Sequence, residues 1–341
     1  MRDLIIVGGG PVGLAAAIHA RLRGLTVVVV EPRDAPIDKA CGEGLMPAAV
    51  TGLRELGVTP RGRPFLGIRY VAPPHQAEAR FRAGSGLGVR RTELHAALRS
   101  RADEVGVEQL RGRVDDVVQE ADQVHAAGLR ARWLLAADGL HSPVRRWLGL
   151  DGAGRAGARP VRFGQRRHFR VQPWSDLVEV HWSADAEAYV TPVDDGLVGV
   201  AVLSGPGRRF DDLLGEFSAL TDRLLHAEPV GEVRGAGPLR QDAVVRRKGR
   251  VLLVGDAAGY VDALTGEGLA TGLATAAAAV EAVATGCPQG YERAWRLATR
   301  RYRLLTTGLL HVAQTPDLRP HIVPAASRLP GLFGRIVDLL S

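Results

Sequence analysis

The chain of 341 residues is long enough for two domains, or for one large α/β unit with an insertion. Hydrophobic residues make up 46% of it and charged residues 24%, which is typical of a soluble globular protein and excludes a fibrous or disordered chain. The formal charge of +7 raises the question of a nucleic-acid partner. Because the arginines are scattered in short clusters, we expect no nucleic-acid role.

The two cysteines, Cys41 and Cys287, are too few for a disulfide framework and lack the spacing of metal ligands. We therefore expect a reducing compartment and no metal site. The N-terminus enters an apolar run without a signal-peptide pattern, which predicts a cytoplasmic protein. The longest apolar stretch, residues 269–285, contains Glu281 and consists mostly of small residues, so we expect a buried helix and no integral membrane segment.

The chain opens with a predicted strand, loop, helix and second strand. The apolar run Leu4–Val7 is typical of a parallel strand that is covered on both faces. A helical pattern covers Leu14–Arg23 and stops at Gly24, and Val27–Val30 predicts the second strand. This order is that of a βαβ unit.

The loop after the first strand has the spacing Gly-x-Gly-x-x-Gly. Gly8 permits the tight turn, and Gly10 lets a pyrophosphate approach the backbone. Gly13 allows close packing of helix and strand, while the helix N-terminus offers N–H donors to phosphate. With Pro11 and Val12 in the same loop, the pattern predicts dinucleotide binding. A purely structural turn is the alternative.

Glu31 ends the second strand, about 20 residues after the glycine loop, where a carboxylate accepts hydrogen bonds from the hydroxyls of an adenosine ribose. This interaction requires a free 2′-hydroxyl, so the pattern favours FAD or NAD over NADP. Pro32 and Arg33 follow directly and are predicted to belong to the same site.

Two later apolar segments end in an aspartate next to a glycine. Residues 132–137 lead into Asp138 and Gly139, and residues 250–254 lead into Gly255 and Asp256. Together with the N-terminal loop, these motifs resemble the flavoprotein superfamily of the p-hydroxybenzoate hydroxylases, flavin halogenases and geranylgeranyl reductases. The resemblance spans most of the chain. It implies non-covalent FAD in a Rossmann-like α/β domain with a parallel sheet and an inserted antiparallel-sheet substrate domain.

The resemblance also implies roles for individual residues. Asp256 would accept a hydrogen bond from a ribityl hydroxyl, and Asp138 with Gly139 would serve the pyrophosphate and NAD(P)H, a transient reductant. The N-terminus of the helix near residue 268 would stabilise negative charge on the reduced flavin. The residues assigned to this helix N-terminus are Gly266, Gly268 and Leu269.

Two further residues are assigned to the cofactor. Arg91 opens a predicted helix and matches an Arg-x-x-Leu element of the superfamily, which implies a place at the flavin. A solvated first-turn arginine is the alternative. Val114 is expected to head the strand beside the adenine and to offer backbone contacts.

The segment Lys39-Ala-Cys41-Gly42-Glu-Gly-Leu resembles a loop of the geranylgeranyl reductases. By that resemblance Lys39 meets the FAD phosphates, Gly42 lies at the cofactor, and Cys41 lies near the isoalloxazine as a catalytic residue. The alternative for Cys41 is a small buried hydrophobe. The aromatic element of these reductases is reduced here to Tyr189–Pro192, which weakens the likeness.

Short alternating segments between residues 155 and 241 predict an antiparallel sheet that covers the flavin, followed by one amphipathic helix over 210–220. His141, His168 and His181 form no catalytic pattern and are expected to be structural or solvated. The predicted organisation is a discontinuous FAD-binding domain (1–60, 86–154 and 242–300), a substrate domain (61–85 and 155–241) and a C-terminal helical segment (301–341).

These features predict an FAD-dependent oxidoreductase that acts on a small hydrophobic or aromatic molecule. The first hypothesis is NAD(P)H-dependent hydroxylation of a phenolic or other hydrophobic substrate with O₂. It is slightly favoured because hydroxylases are more numerous in the superfamily. The second is reduction of a C=C bond, which the Cys41 loop favours. A flavin-binding protein without catalysis is the third.

Overall fold

The structure is a computed structural model that describes residues 1–152 and 161–340. These residues form two large sheets, two small sheets and the helices that cover them. In chain order, the strands are β1 (Arg2–Val7), β2 (Val27–Glu31), β3 (Gly44–Leu45), β4 (Arg63–Phe65), β5 (Gly67–Ala72), β6 (His75–Arg80), β7 (Gly86–Gly88), β8 (Glu108–Arg111), β9 (Val118–Gln119), β10 (Val124–Ala126), β11 (Leu129–Ala136), β12 (Phe163–Arg170), β13 (Val178–Trp182), β14 (Glu187–Asp194), β15 (Leu197–Ser204), β16 (Glu228–Ala236), β17 (Gln241–Asp242), β18 (Arg247–Lys248), β19 (Val251–Leu253) and β20 (Gly259–Tyr260).

Helices lie on both large sheets, and short 3-10 helices follow β19, α7 and α8. The α-helices are α1 (Pro11–Leu22), α2 (Pro47–Glu55), α3 (Arg91–Glu104), α4 (Pro143–Trp147), α5 (Phe210–Leu214), α6 (Ser218–Leu224), α7 (Gly268–Ala284), α8 (Tyr291–Gln314), α9 (Ile322–Arg328) and α10 (Pro330–Leu339), and the 3-10 helices are Gly255–Ala258, Pro288–Gly290 and Arg319–His321.

The first large sheet has the strand order β18-β19-β11-β1-β2-β8, and its five strands from β19 to β8 are parallel to one another. The main hydrophobic core surrounds this sheet, with helices α1, α3 and α7 packed together beside it. Burial on both faces explains the unbroken apolar runs: Leu4, Ile5 and Ile6 are fully buried. The predicted Rossmann-like α/β fold is thus confirmed.

The second large sheet has the order β16-β12-β15-β14-β13-β5-β6. Its pairs are antiparallel except β13 with β5, which are parallel. The alternating segments of the sequence therefore predict β12 to β15, and the chain adds β5 and β6 at one edge and β16 at the other. One face packs against α5 and α6, and the opposite face, which carries Tyr70 and Val180, packs against α9 and α10.

Two local predictions are wrong. The helix expected over 210–220 is two short helices, α5 and α6, because the chain turns through Gly215, where the Glu216 and Phe217 amides bond back to Leu213 and Leu214. Val114 does not head a strand: β8 ends at Arg111, and Val114 is buried in the loop that follows.

Two of the predicted domain limits do not coincide with an observed boundary between elements. The limit at 300/301 lies inside the continuous helix α8, and the limit at 154/155 lies outside the described residues. Over residues 1–152 and 161–340, every helix is too short or too polar to cross a membrane.

Candidate functional site

The residues predicted to hold the cofactor meet at the carboxyl edge of the parallel sheet. Gly8 follows β1, Glu31 ends β2, Asp138 follows β11, and Gly255 follows β19. In open α/β sheets this edge is where ligands bind, because loops diverge there and leave a crevice. The motifs that are far apart in the sequence are therefore adjacent in space.

The glycine loop forms an open cradle at the N-terminus of α1. Gly8 has a φ of 104°, and a Cβ on Gly13 would lie 1.9 Å from the Gly8 carbonyl oxygen, so both positions need glycine. In contrast, a Cβ on Gly10 would meet nothing within 4 Å. No side chain caps α1, whose free N–H groups face this space. The cradle fits the phosphates of a dinucleotide.

Glu31 is held as a charged acceptor beside this cradle. Its Oε2 accepts a hydrogen bond of 2.8 Å from the Gly9 amide, and its Oε1 lies 2.7 Å from Arg33 Nε. Burial raises the pKa of the carboxyl, but the bonds from Arg33 and the Gly9 amide outweigh burial and lower the pKa overall. An ionised carboxylate here can accept from ribose hydroxyls. Pro32 follows Glu31 in the exposed loop.

A lysine and two aspartates lie near the glycine loop. Lys39 Nζ lies 3.9 Å from Asp256 Oδ2 and would lie 3.6 Å from a Cβ on Gly139. Asp138 turns away, because its Oδ2 accepts a bond of 3.1 Å from the Val144 amide. Burial raises the pKa of Asp138. Of the two aspartates, Asp256 faces the cavity described next.

A largely apolar cavity of about 240 Å³ continues from the cradle towards the second sheet. The predicted cofactor residues that line it are Pro11, Val12, Lys39, Cys41, Gly42, Arg91, Asp256, Gly266, Gly268 and Leu269. Its far wall is built by Met46, Phe65, Ile68, Tyr70, Val178, Val180, Tyr189, Ala201, Leu203 and Leu340. The cavity therefore has a polar end, which could hold a cofactor, and an apolar end, which could hold a second molecule, and the two ends are continuous.

Glu43 anchors the Cys41 loop to the rest of the protein. It is buried and has a φ of 59°, which is uncommon for a residue with a side chain. Its Oε1 accepts 2.8 Å from the Arg91 amide, and its Oε2 lies 2.6 Å from His168 Nε2. The Glu43 amide in turn donates to Cys41 Sγ at 3.4 Å. The loop is thus fixed to α3 and β12 together.

Arg166 completes this buried network. Its Nη1 lies 3.1 Å from His168 Nδ1, and its Nη2 donates to Asp38. Because a guanidinium only donates, His168 Nδ1 accepts and its Nε2–H donates to Glu43. Sequence reasoning missed Glu43 and Arg166. The acidic residue inside the Cys-Gly-x-Gly motif was a usable signal for Glu43, whereas Arg166 lies in an ordinary strand pattern.

The loop before α7 is held from two sides. Tyr189 Oη donates to the Leu264 carbonyl at 3.0 Å, and Thr265 Oγ1 lies 2.8 Å from Thr306 Oγ1 on α8. Glu267 precedes the first residue of α7 and is buried, and burial raises its pKa to about 7. This loop supplies Gly266 to the cavity wall.

His141 and His181 lie outside this network. His141 Nε2 contacts the Gly237 carbonyl at 3.0 Å, and His181 Nε2 contacts Glu179 at 3.2 Å. Within residues 1–152 and 161–340, no cluster of three or more His, Cys, Asp or Glu side chains is arranged to hold a metal ion.

The family model described as an FAD binding domain matches residues 1–200. A menaquinone reductase of Mycolicibacterium smegmatis is 31% identical over 337 residues, which cover 86% of this chain and 79% of the relative. A digeranylgeranylglycerophospholipid reductase of Methanothermobacter thermautotrophicus is 26% identical over 325 residues, covering 86% and 80%. A rifampicin monooxygenase of Rhodococcus hoagii is 35% identical over 162 residues, covering 43% and 33%.

Among solved structures, a flavoprotein/dehydrogenase from Cytophaga hutchinsonii superposes with a TM-score of 0.79 at 18% identity, covering 98% of this chain and 96% of that one. That likeness is one of fold. The cradle and the charged Glu31 fit a dinucleotide, and the matched family model identifies that dinucleotide as FAD. The chain belongs to the FAD-binding family of the p-hydroxybenzoate hydroxylase and geranylgeranyl reductase superfamily and is an FAD-dependent oxidoreductase.

Proposed function

We propose that the protein reduces a C=C bond of a hydrophobic substrate that carries an isoprenoid chain. The observation that carries this proposal is the Cys41 loop, fixed by Glu43 between the cofactor cradle and a wall of apolar side chains. The reductases named above match over most of this chain, whereas the monooxygenase matches over less than half of it. The longer matches to the reductases therefore favour reduction. The large number of hydroxylases in the superfamily, taken alone, favours hydroxylation.

The residues at the cradle divide the work of holding FAD. The N-terminus of α1 would bind the pyrophosphate, Glu31 the adenosine ribose, and Asp256 a ribityl hydroxyl, with Lys39 beside the phosphates. The bound flavin supplies the electron pair for reduction, and we expect NAD(P)H to restore it. The N-terminus of α7 would stabilise the negative charge of the reduced flavin.

The remaining residues would orient the substrate and supply a proton. The apolar wall around Phe65, Ile68 and Tyr70 excludes water and holds an alkyl chain. We assign the proton donor to the Cys41 thiol, which lines the cavity. The Glu43 amide, 3.4 Å from Sγ, would stabilise the thiolate left behind, and solvent protons would restore the thiol.

The test is an anaerobic assay with FAD, NAD(P)H and either a menaquinone with an unsaturated side chain or a geranylgeranyl-bearing lipid. We expect mass spectrometry to find a product that has gained one H₂ equivalent. Hydroxylation, the second candidate, would instead give a product with one added oxygen atom, and only in air. A product of that kind overturns the proposal.

Cys41→Ser tests the proton donor separately. We expect this variant to retain FAD and to lose turnover at least about tenfold, because a hydroxyl is a far weaker acid than a thiol. Cys287→Ser, at an exposed position, is the matched control and should keep full turnover. Full turnover by Cys41→Ser would leave Cys41 with a packing role alone.

A further inference from the structure

Helix α10 exposes a continuous apolar stripe. Leu332, Ile336 and Leu339, spaced by four and three residues, share one face of α10, and Leu329 directly precedes the helix. The exposed fractions of Leu329, Leu332, Ile336 and Leu339 are 55%, 54%, 37% and 46%. We call these four residues the outer stripe. Single exposed leucines are normal on a protein surface, but a group of four along one short helix indicates an interaction surface.

The outer stripe is flanked by positive charge. Arg328 and Arg335 are exposed beside it on the same segment. The Arg82 side chain is 81% exposed and reaches α10, where its Nε lies 3.2 Å from Asp338 Oδ2. An apolar helical face bordered by arginines complements a membrane surface with anionic headgroups, which takes up the apolar side chains and attracts the cations.

The neighbouring face of α10 closes the cavity. Leu340, just after α10, lines the cavity and is buried. The Phe333 ring lies 4.8 Å from the ring of Tyr70, another cavity residue, and Val337 is buried in the same cluster. Helix α10 therefore contributes to the cavity wall with one face and carries the outer stripe on the neighbouring face.

We propose that the outer stripe and its flanking arginines dock this protein on an anionic lipid bilayer, with α10 lying in the interface. A lipid-soluble substrate would then pass from the bilayer along α10 into the cavity. The route into the cavity rests on the proposed function, whereas the docking itself does not. A second copy of the chain fits this surface less well, because a two-fold contact along the stripe would bring the flanking arginines of both copies into one interface.

The experiment is co-sedimentation of the FAD-loaded protein with vesicles of phosphatidylglycerol and phosphatidylcholine, compared with phosphatidylcholine alone. We expect binding to the anionic vesicles that weakens with salt. Leu332→Ser/Ile336→Ser/Leu339→Ser should lower that binding at least about tenfold, since it removes three apolar side chains from the interface. Arg328→Gln/Arg335→Gln should weaken binding and reduce its salt dependence.

The matched control is Leu22→Ser/Val118→Ser/Leu225→Ser, which removes three side chains of similar exposure (52%, 51% and 73%) from other elements. It should bind vesicles like the wild type. Two results overturn the proposal: vesicle binding that is absent or unchanged by the stripe variant, or a dimer seen by light scattering that the stripe variant dissolves. Turnover of detergent-dispersed substrate by the stripe variant reports on the proposed function independently of docking.

Discussion

Asp256 follows β19 and is the side chain that we propose binds the ribityl chain of FAD. Its carboxylate faces the cavity, about one-third exposed (33%), and its nearest cation is Lys39 at 3.9 Å. The separation is too long for a good hydrogen bond, so the carboxylate keeps acceptor capacity for a ribityl hydroxyl.

We expect Asp256→Ala to weaken FAD binding by about 1–3 kcal/mol, because the ribityl hydroxyl loses its charged acceptor. Titration of the apoprotein, followed by quenching of flavin fluorescence, measures the dissociation constant. Asp195→Ala is the control, since the Asp195 side chain is 94% exposed and pairs with Arg63 at the surface. Equal FAD affinity in both variants would show that Asp256 does not contribute to FAD binding.

Glu267 links the stability of the protein to pH. Burial raises its pKa from 4.5 to about 7, with Arg301 a smaller opposing influence, and its Oε2 has no hydrogen-bond partner among the described residues. Between these two pH values the folded state binds more protons than the unfolded state, so stability falls as pH rises through this range.

Glu267→Gln should abolish this dependence. Relative to the variant, the wild type should lose up to about 3 kcal/mol of unfolding free energy as pH rises from 4.5 to about 7. Urea denaturation of both proteins across this range measures the difference, and other titrating groups cancel because both proteins contain them. Parallel curves would show that Glu267 does not bind its proton more tightly in the folded state.

At the scale of the element, the loop around Cys41 depends on one buried carboxylate. Glu43 accepts hydrogen bonds from the Arg91 amide and from His168. Deleting it would leave both donors unsatisfied in the interior and would leave Asp38 as the carboxylate partner of Arg166, whose Nη2 lies 3.8 Å from Glu43 Oε1. The loop, α3 and β12 would then lose their common anchor.

Glu43→Ala should therefore destabilise the protein by about 3–5 kcal/mol, as expected when one partner of a buried charged network is removed. Chemical denaturation gives the value. Glu78→Ala is a fair comparison, because Glu78 pairs with Arg69 at the surface and should contribute less than about 1 kcal/mol. A loss as small as that of Glu78→Ala would contradict the anchoring role of Glu43.

The sequence predicts elements where the signal is local. The runs that become β1, β2 and the second half of β11 are apolar because both faces are covered, and Gly13 is required by its contact with the Gly8 carbonyl in the same loop. The parallel pairing of β13 with β5 is different, since residues 67–72 and 178–182 meet only through tertiary packing. The contact between Glu43 and His168 also produces no pattern in the sequence, because the two residues meet only through tertiary packing.

At the scale of the whole molecule, the cavity is shared by three parts of the chain. The parallel sheet brings the cradle, the second sheet brings Tyr70 and Tyr189, and the C-terminal helices close the far side. The sequence predicts two of these parts, the parallel sheet and the antiparallel sheet. The third was expected only as a helical segment, because the sequence does not specify which surface such helices cover.

A buried ionic cluster joins these parts. Arg319, in the 3-10 helix after α8, lies 2.6 Å from Glu187 on β14, and Glu187 lies 2.6 Å from Arg162. Arg162 in turn lies 3.3 Å from Asp262, in the loop that leads to α7. Burial raises the pKa of Asp262 to about 6, although Arg162 opposes the change. The C-terminal segment is therefore connected electrostatically to the loop that leads to α7.

Arg319→Ala tests that connection. Removing the guanidinium leaves Glu187 with one cationic partner and frees the Ala313 and Ala186 carbonyls that Arg319 also bonds. We expect faster hydrogen exchange in α9, α10 and residues 261–267, with β1 and β11 unchanged, because the cluster holds the C-terminal segment and not the parallel sheet. Arg328→Ala, at an exposed position in the same segment, should leave all these rates as in the wild type. Exchange that rises uniformly over the chain would instead mean that Arg319 contributes only to global stability.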